Sequence, residues 1–296
     1  MATIYLQALI DGILQGGVYA TIAVGLSLCF GVMGIINWAH GETLMVGMYI
    51  SYLCVQHLGM DPYLTIFITA TVLFVFGFLL QKFVFNDLLK REVAREPLSV
   101  LLSTAGLSMV LWNCMTMIFG SFVMGVNTKY SGTTIRLNDL IISRPRLISF
   151  CIALVVTGAL YLFLQKSEQG RALRATAQNR TVARLMGINI ELLFCLAFGL
   201  SLALVGVSSA LLIPTFQIYP KVGAVFSNKS FIIVVLGGKG DVKGALIGGL
   251  IIGIIERVGA VLLNESYALE LTYVLFIIIL LFMPEGLFNR KSKMKG

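Results

Sequence analysis

Ile190-Glu-Leu-Leu-Phe-Cys-Leu-Ala-Phe-Gly-Leu-Ser-Leu-Ala-Leu-Val-Gly-Val-Ser-Ser-Ala-Leu-Leu-Ile213 is a run of 24 residues with one charged side chain, Glu191, at its start. About 20 apolar residues in a helix cross a hydrocarbon core of about 30 Å, so the run reads as a membrane span. Its apolar character is continuous rather than alternating, which argues for a helix and against a barrel strand.

Similar runs recur in both directions from this one. Upstream lie Ile4–Val32, Ala39–Val55, Pro62–Phe85, Leu98–Phe119 and Leu147–Leu164; downstream lie Ala245–Leu263 and Leu269–Met283, with a shorter run at Val222–Leu236. The expectation is an all-α, polytopic transmembrane helical bundle of eight spans, or nine if the short run crosses, with discontinuous helices. Composition agrees, since 58% of residues are apolar and 12% charged, against about 25% charged in a soluble domain. The longest polar connections, Gly120–Arg146 and Gln165–Asn189, are too short to bury cores of their own, so residues 1–296 are expected to form a single transmembrane domain. The first run lacks a basic leader and continues into further spans, so it is expected to be retained.

The net charge of +8 concentrates in short connections. Lys82, Lys90, Arg91 and Arg95 flank one; Lys166, Arg171, Arg174, Arg180 and Arg184 lie in another; Arg290, Lys291, Lys293 and Lys295 form a basic tail at 285–296. The positive-inside rule places all three in the cytoplasm, and nine crossings then put the N-terminus outside. Lys129, Arg136, Arg144 and Arg146 run against that bias, because their connection must lie on the opposite face. The positive charge is read as topology, and nucleic acid is not expected as a partner. Cys29, Cys54, Cys114, Cys151 and Cys195 are scattered in apolar runs, which suits small buried hydrophobes. With His40 and His57 the only histidines, no metal site is expected.

Three segments carry the functional signals. In Gly31-Val-Met-Gly-Ile-Ile-Asn-Trp-Ala-His-Gly-Glu42, polar side chains and glycines interrupt an apolar run. A charge at bilayer depth costs about 3 kcal/mol, so this segment should be non-helical or buried in protein. Asn37 capping the next helix and Glu42 complementing its dipole is one account of these residues; contact of Asn37, His40 and Glu42 with a solute is the other. In the connection from Glu168 to Gly187, Leu173, Ala177 and Leu185 recur at near-helical spacing and Gly187 stands as a C-cap. One short, basic, amphipathic helix is expected, either resting on anionic headgroups or docking a cytoplasmic partner.

The third segment is Leu236-Gly-Gly-Lys-Gly-Asp-Val-Lys-Gly-Ala-Leu-Ile-Gly-Gly-Leu-Ile-Ile-Gly253. It is not a phosphate loop, because no Ser or Thr follows Lys239 and no parallel-strand pattern surrounds it. Gly244, Gly248, Gly249 and Gly253 follow small-xxx-small spacing and predict tight helix packing. Glu256 and Arg257 follow inside the same helix and are candidates for a polar pathway. The breaks before Ala39 and Gly244 would present helix N-termini to a solute carboxylate.

Three motifs bring a family into view: Gly16-Gly-Val-Tyr-Ala20 leading to Gly34–Glu42, Gly170-Arg-Ala-Leu-Arg-Ala175 through Ala183-Arg-Leu-Met-Gly-Ile188, and Leu236–Gly240 through Gly244-Ala-Leu-Ile-Gly-Gly249. On these residues the chain resembles the permease subunits of bacterial branched-chain amino acid ABC importers, closer to the shorter H-type; urea permeases are similar. The likeness extends from Tyr5 to about Gly286. It implies a multi-pass protein of the bacterial cytoplasmic (inner) membrane with a cytoplasmic C-terminus. It also implies a second permease subunit, homologous or identical, two cytoplasmic ATP-binding subunits, and a periplasmic or extracellular solute-binding protein. ATP would be hydrolysed on the partners; this chain would bind no cofactor and be no enzyme. Residues 168–188 match the family's coupling loop, which nominates Gly170, Arg171, Arg174, Arg180, Arg184 and Gly187 for ATPase coupling. Asn179-Arg180 stand where an acidic residue is usual, and Lys239 and Lys243 depart from an apolar, proline-containing pattern. Branched-chain or other small amino acids are the expected cargo, with short amides and urea as further candidates. A passive channel for a small neutral solute is the competing reading. An intramembrane enzyme lacks a recognisable nucleophile and base.

Overall fold

The computed structural model describes residues 2–91, 98–126, 128, 130, 132–137, 140–263, 265–282 and 286. Helix α1 spans Ala2–Met33, α2 His40–Leu58 and α3 Thr65–Leu80; a π-helical turn at Gln81–Phe85 leads into α4, Asn86–Arg91. Then follow α5 (Leu98–Phe119), strands β1 (Thr134–Leu137) and β2 (Leu140–Ser143), α6 (Arg144–Lys166), α7 (Glu168–Gln178) and α8 (Arg180–Leu185). The chain closes with α9 (Ile190–Leu212), α10 (Val222–Gly237), α11 (Val242–Leu263) and α12 (Glu265–Phe282). Among the described residues every expected apolar run is helical over most of its length, and the bundle is all-α apart from an antiparallel hairpin in which Thr134 faces Ser143 and an isolated bridge between Met124 and Ile218.

Among the described residues six helical stretches are long and apolar enough to cross a membrane: Thr3–Met33, Thr65–Leu89 (running from α3 into α4), Leu98–Phe119, Arg144–Lys166, Ile190–Leu212 and Val242–Leu263. The chain is a multi-pass membrane protein. A count of nine spans is reached only if α2, which carries His40, Glu42 and His57, and the shorter apolar stretches of α10 and α12 also cross.

Helix α1 runs through the middle of the bundle, largely buried, and packs on α11, α9, α6 and α10. The α1–α11 contact is a backbone seam. A Cβ on Gly16 would stand 2.9 Å from Leu250 Cα, and one on Gly249 2.5 Å from Ala20 Cα. Lipid supplies no hydrophobic drive for helix association, so such close approach, with its dispersion contacts, is what holds the pair. At the other extreme, α5 leaves Leu102, Met109, Met117 and Ile118 exposed, a surface suited to acyl chains.

The two ends of the bundle are distinct. Gln7 Nε2 donates to Ile141 O (2.6 Å), Ile141 N donates to Gln7 Oε1 (3.0 Å), and Arg146 pairs with Asp11 at 2.9 Å. These bonds tie the hairpin and the start of α6 to the N-terminal end of α1. At the opposite end Gly31 abuts Gly240 and Gly286 abuts Gly238, so α7, the α10–α11 turn and the start of the tail lie together. Arg290, Lys291, Lys293 and Lys295 of the tail, with Arg95 and Lys129, lie outside the described residues. Cys29, Cys54 and Cys195 are buried, whereas Cys114 and Cys151 face outward on α5 and α6, contrary to their reading as buried hydrophobes.

Candidate functional site

Helix α1 ends at Gly34, whose φ of +61° suits a residue without a side chain, and Gly34 N donates to Phe30 O at 2.7 Å. The next residues are non-helical until α2 begins at His40. Asn37 Oδ1 accepts from Ala39 N at 3.0 Å, so Asn37 builds a turn two residues ahead. The N-cap position itself is Ala39, without a side-chain bond, which corrects the expected capping role of Asn37. Glu42 does lie in the first turn of α2. Asn37, His40 and Glu42 are only 3%, 1% and 7% exposed. His40 Nε2 meets Ile22 O of α1 at 3.0 Å. Ser227 Oγ of α10 accepts from Gly41 N at 2.9 Å and reaches Glu42 Oε2 at 3.5 Å. A Cβ on Gly223 would stand 2.8 Å from Gly41 O, so α2 and α10 also cross backbone to backbone. Trp38, 59% exposed, brings a large side chain of this segment to the surface.

The opposite face of α10 carries the residue that sequence reasoning missed. Lys229 Nζ donates to both Glu256 carboxylate oxygens (2.7 and 2.8 Å) and to Tyr19 OH at 3.0 Å, and lies 4.6 Å from the Tyr19 ring centroid. Gln15 Nε2 donates to Tyr19 OH at 2.6 Å, and Arg257 Nε donates to Gln15 Oε1 at 3.0 Å. The side chains of Lys229 and Glu256 are 6% and 20% exposed. Alone in an apolar interior either charge is costly; as a hydrogen-bonded pair they are tolerated. The structure thus places Glu256 with Lys229, apart from the Asn37–His40–Glu42 group, and α10 joins the two clusters. One signal was legible: Gln7, Asp11, Gln15 and Tyr19 recur every four residues along one face of α1. Among the described residues no cluster of His, Cys, Asp or Glu could hold a metal ion.

The connection from Glu168 to Gly187 forms two helices rather than the expected one. Ser167 Oγ caps α7 by accepting from Gly170 N (2.8 Å), and Asn179, with extended backbone, caps α8 by accepting from Val182 N (3.1 Å). Asparagine favours an N-cap over a helix interior, which explains the break. Leu173 is buried against the bundle, but Ala177 is exposed and Leu185 is 82% exposed, so no shared apolar face forms. Gly170 packs on the Phe163–Leu164 backbone, Arg174 donates to Leu164 O, and Arg171 donates to Lys166 O at 3.1 Å. Arg180 lies over the Phe194 ring at 5.3 Å, where desolvation lowers its pKa from the usual arginine value. Arg184 is exposed in the last turn of α8, and Gly187 follows with φ +82°.

The four motif glycines of α11 divide between two neighbours. Gly249 and Gly253 face α1; Gly244 meets Gly237, and a Cβ on Gly248 would stand 3.0 Å from Ile233 O of α10. The break before Gly244 sits beside α7 at the end of the bundle, where Asp241 Oδ1 already accepts from Lys243 N at 2.9 Å. One N–H of that helix N-terminus is thus already bonded within the chain.

Residues 8–284 match the family described as branched-chain amino acid transport system / permease component. The high-affinity branched-chain amino acid transport system permease protein BraD of Pseudomonas aeruginosa is 32% identical over 307 residues, covering 97% of this chain and 96% of the relative. The high-affinity branched-chain amino acid transport system permease protein LivH of Escherichia coli is 30% identical over 296 residues, with coverage of 97% and 96%. A probable LivH of Methanocaldococcus jannaschii is 28% identical over 288 residues, with coverage of 93% and 90%. No solved structure matches.

Proposed function

The chain belongs to the permease components of branched-chain amino acid transport systems, and from that premise we propose that it is the membrane-spanning subunit of an ABC importer for branched-chain or other small amino acids in a bacterial cytoplasmic membrane. The observation that supports the coupling half of this reading is α8. Its Val182 and Leu185, with Met186 just beyond, are 52%, 82% and 78% exposed on a segment that also carries Arg180 and Arg184. An apolar patch with a basic rim, set on an anchored helix pair at one end of the bundle, has the character of a docking surface for a cytoplasmic ATP-binding subunit. In this reading Gly170, Arg171 and Arg174 fix α7 to the bundle, and Arg180, Arg184 and Gly187 present α8. ATP is hydrolysed on that partner. A second permease subunit completes the path, and an external solute-binding protein delivers the cargo.

On the solute side, Asn37 and His40 hold the α1–α2 turn from within, and Glu42 with Ser227 lies beside the exposed Trp38. Glu256 acts through Lys229 to position α10. Uptake of radiolabelled leucine and urea into proteoliposomes tests the proposal, comparing this chain alone with the assembly that includes partner permease, ATP-binding subunits, solute-binding protein and ATP. Leucine uptake that needs every component is the expected result. Flux through the chain alone, indifferent to ATP, would replace the importer with a channel.

A further inference from the structure

The end of the bundle that carries α7 has a cavity of about 410 Å³ between that helix and the α10–α11 turn. Arg174, Lys239 and Lys243 line it, with Asp241 as the one acidic residue. Among the described residues none of these three cations has a carboxylate within ion-pair distance. They are held in place by other means: Arg174 bonds Leu164 O and Gln165 Oε1, Lys239 lies 5.5 Å from the Phe30 ring centroid, and Lys243 5.1 Å from that of Tyr161. Three positive charges around one cavity, offset by a single carboxylate, create a potential that favours an anion.

Tyr161, Val242 and Lys243 also line a second, apolar space of about 220 Å³, which continues between α6 and α11 along Leu154, Thr157, Gly158 and Leu246. A Cβ on Gly158 would meet no atom within 4 Å, so the groove is open there. A basic chamber at the membrane surface that passes into an apolar groove along the spans matches an amphiphile. A free anion would fill the first part and leave the second without an occupant.

We propose that the cavity binds the phosphate headgroup of an anionic phospholipid from the leaflet on the α7 side, with one acyl chain in the α6–α11 groove. Charge complementarity sets the headgroup, and methylene burial sets the chain. Because α7 and the α10–α11 turn both contribute cations, the lipid bridges the element assigned to ATPase coupling and the helix that carries Lys229. That consequence rests on the function proposed above; the lipid site does not.

Native mass spectrometry of the full chain, released from nanodiscs of phosphatidylglycerol or phosphatidylcholine, tests the site. One phosphatidylglycerol retained per chain, with phosphatidylcholine lost under the same conditions, is expected. Lys239→Gln with Lys243→Gln should lower retention about fivefold per lysine. Gly158→Leu, which fills the groove and leaves every charge in place, should lower it as well. Equal retention of the two lipids, or retention unchanged in both variants, would overturn the proposal. So would displacement of the lipid by millimolar inorganic phosphate combined with indifference to Gly158→Leu, which would assign the chamber to a soluble anion. Melting temperatures of both variants within a few degrees of the parent exclude misfolding as the cause of any loss.

Discussion

Lys229→Met probes the network at the centre of the bundle. All three ammonium donors of Lys229 are in use, two on Glu256 and one on Tyr19, and the pair is largely out of solvent at 6% and 20% side-chain exposure. Its removal leaves the Glu256 carboxylate with a Tyr19 hydroxyl at 3.4 Å as its remaining contact in the network. Breaking a buried pair from one side costs about 3–5 kcal/mol, because the survivor keeps its desolvation penalty. For a chain of this size that corresponds to a fall in Tm on the order of 10 °C. Replacing both charges removes the orphan, so Lys229→Met with Glu256→Met should return to within about 1 kcal/mol of the parent. The assay is a double-mutant cycle on thermal unfolding in detergent or bicelles. A single-variant loss below about 1 kcal/mol would refute the reasoning. Costs that add in the double variant, instead of cancelling, would refute it equally.

Three further outcomes are expected. Gly249→Leu should cost about 3 kcal/mol or more by forcing α1 from α11, whereas Gly106→Ala, where a Cβ meets open space, should gain about 0.5–1 kcal/mol; size-exclusion melts of the two variants give the comparison. Leu185→Asp with Met186→Asp should leave stability within about 0.5 kcal/mol, since both side chains are exposed, yet abolish co-purification of the ATP-binding subunit; retained co-purification would return α8 to the lipid surface. Asn37→Ala should lower stability by about 1–2 kcal/mol through the lost turn bond while leaving the KM for leucine uptake in the assembled transporter unchanged. A raised KM without a stability loss would place Asn37 on the solute instead.

The helices were readable because lipid leaves a spanning backbone no alternative to bonding with itself, so an apolar run and a helix nearly coincide. Leu98–Phe119 is the same in both descriptions, and Ile190 begins both the run and α9. The site was only half readable. Glycine spacing announces that α11 packs tightly, but it does not say that Gly249 and Gly253 meet α1 while Gly244 and Gly248 meet α10. Lys229 is a lone charge in a short helix, and its partner lies 27 residues later on another element. A pairing across helices leaves no local pattern. Asn179 carried a signal that near-helical spacing outweighed: its capping preference divides α7 from α8 and turns Leu185 outward.

The two polar clusters become one arrangement through α10. Ser227 engages Gly41 and Glu42 on one flank of the helix, and two residues later Lys229 engages Tyr19 and Glu256 on the other. Residues two apart on a helix point about 200° away from each other, so α10 is held by polar bonds from opposite sides. A rotation of α10 that carries Ser227 away from α2 must also swing Lys229 relative to α1 and α11. The close approach of Gly223 to Gly41 resists separation at the same crossing. The two sets of bonds are therefore mechanically coupled through one helix. It follows that Ser227→Ala and Lys229→Met should be non-additive in transport rate even though the two side chains share no hydrogen bond; strict additivity would show that the two flanks of α10 act independently.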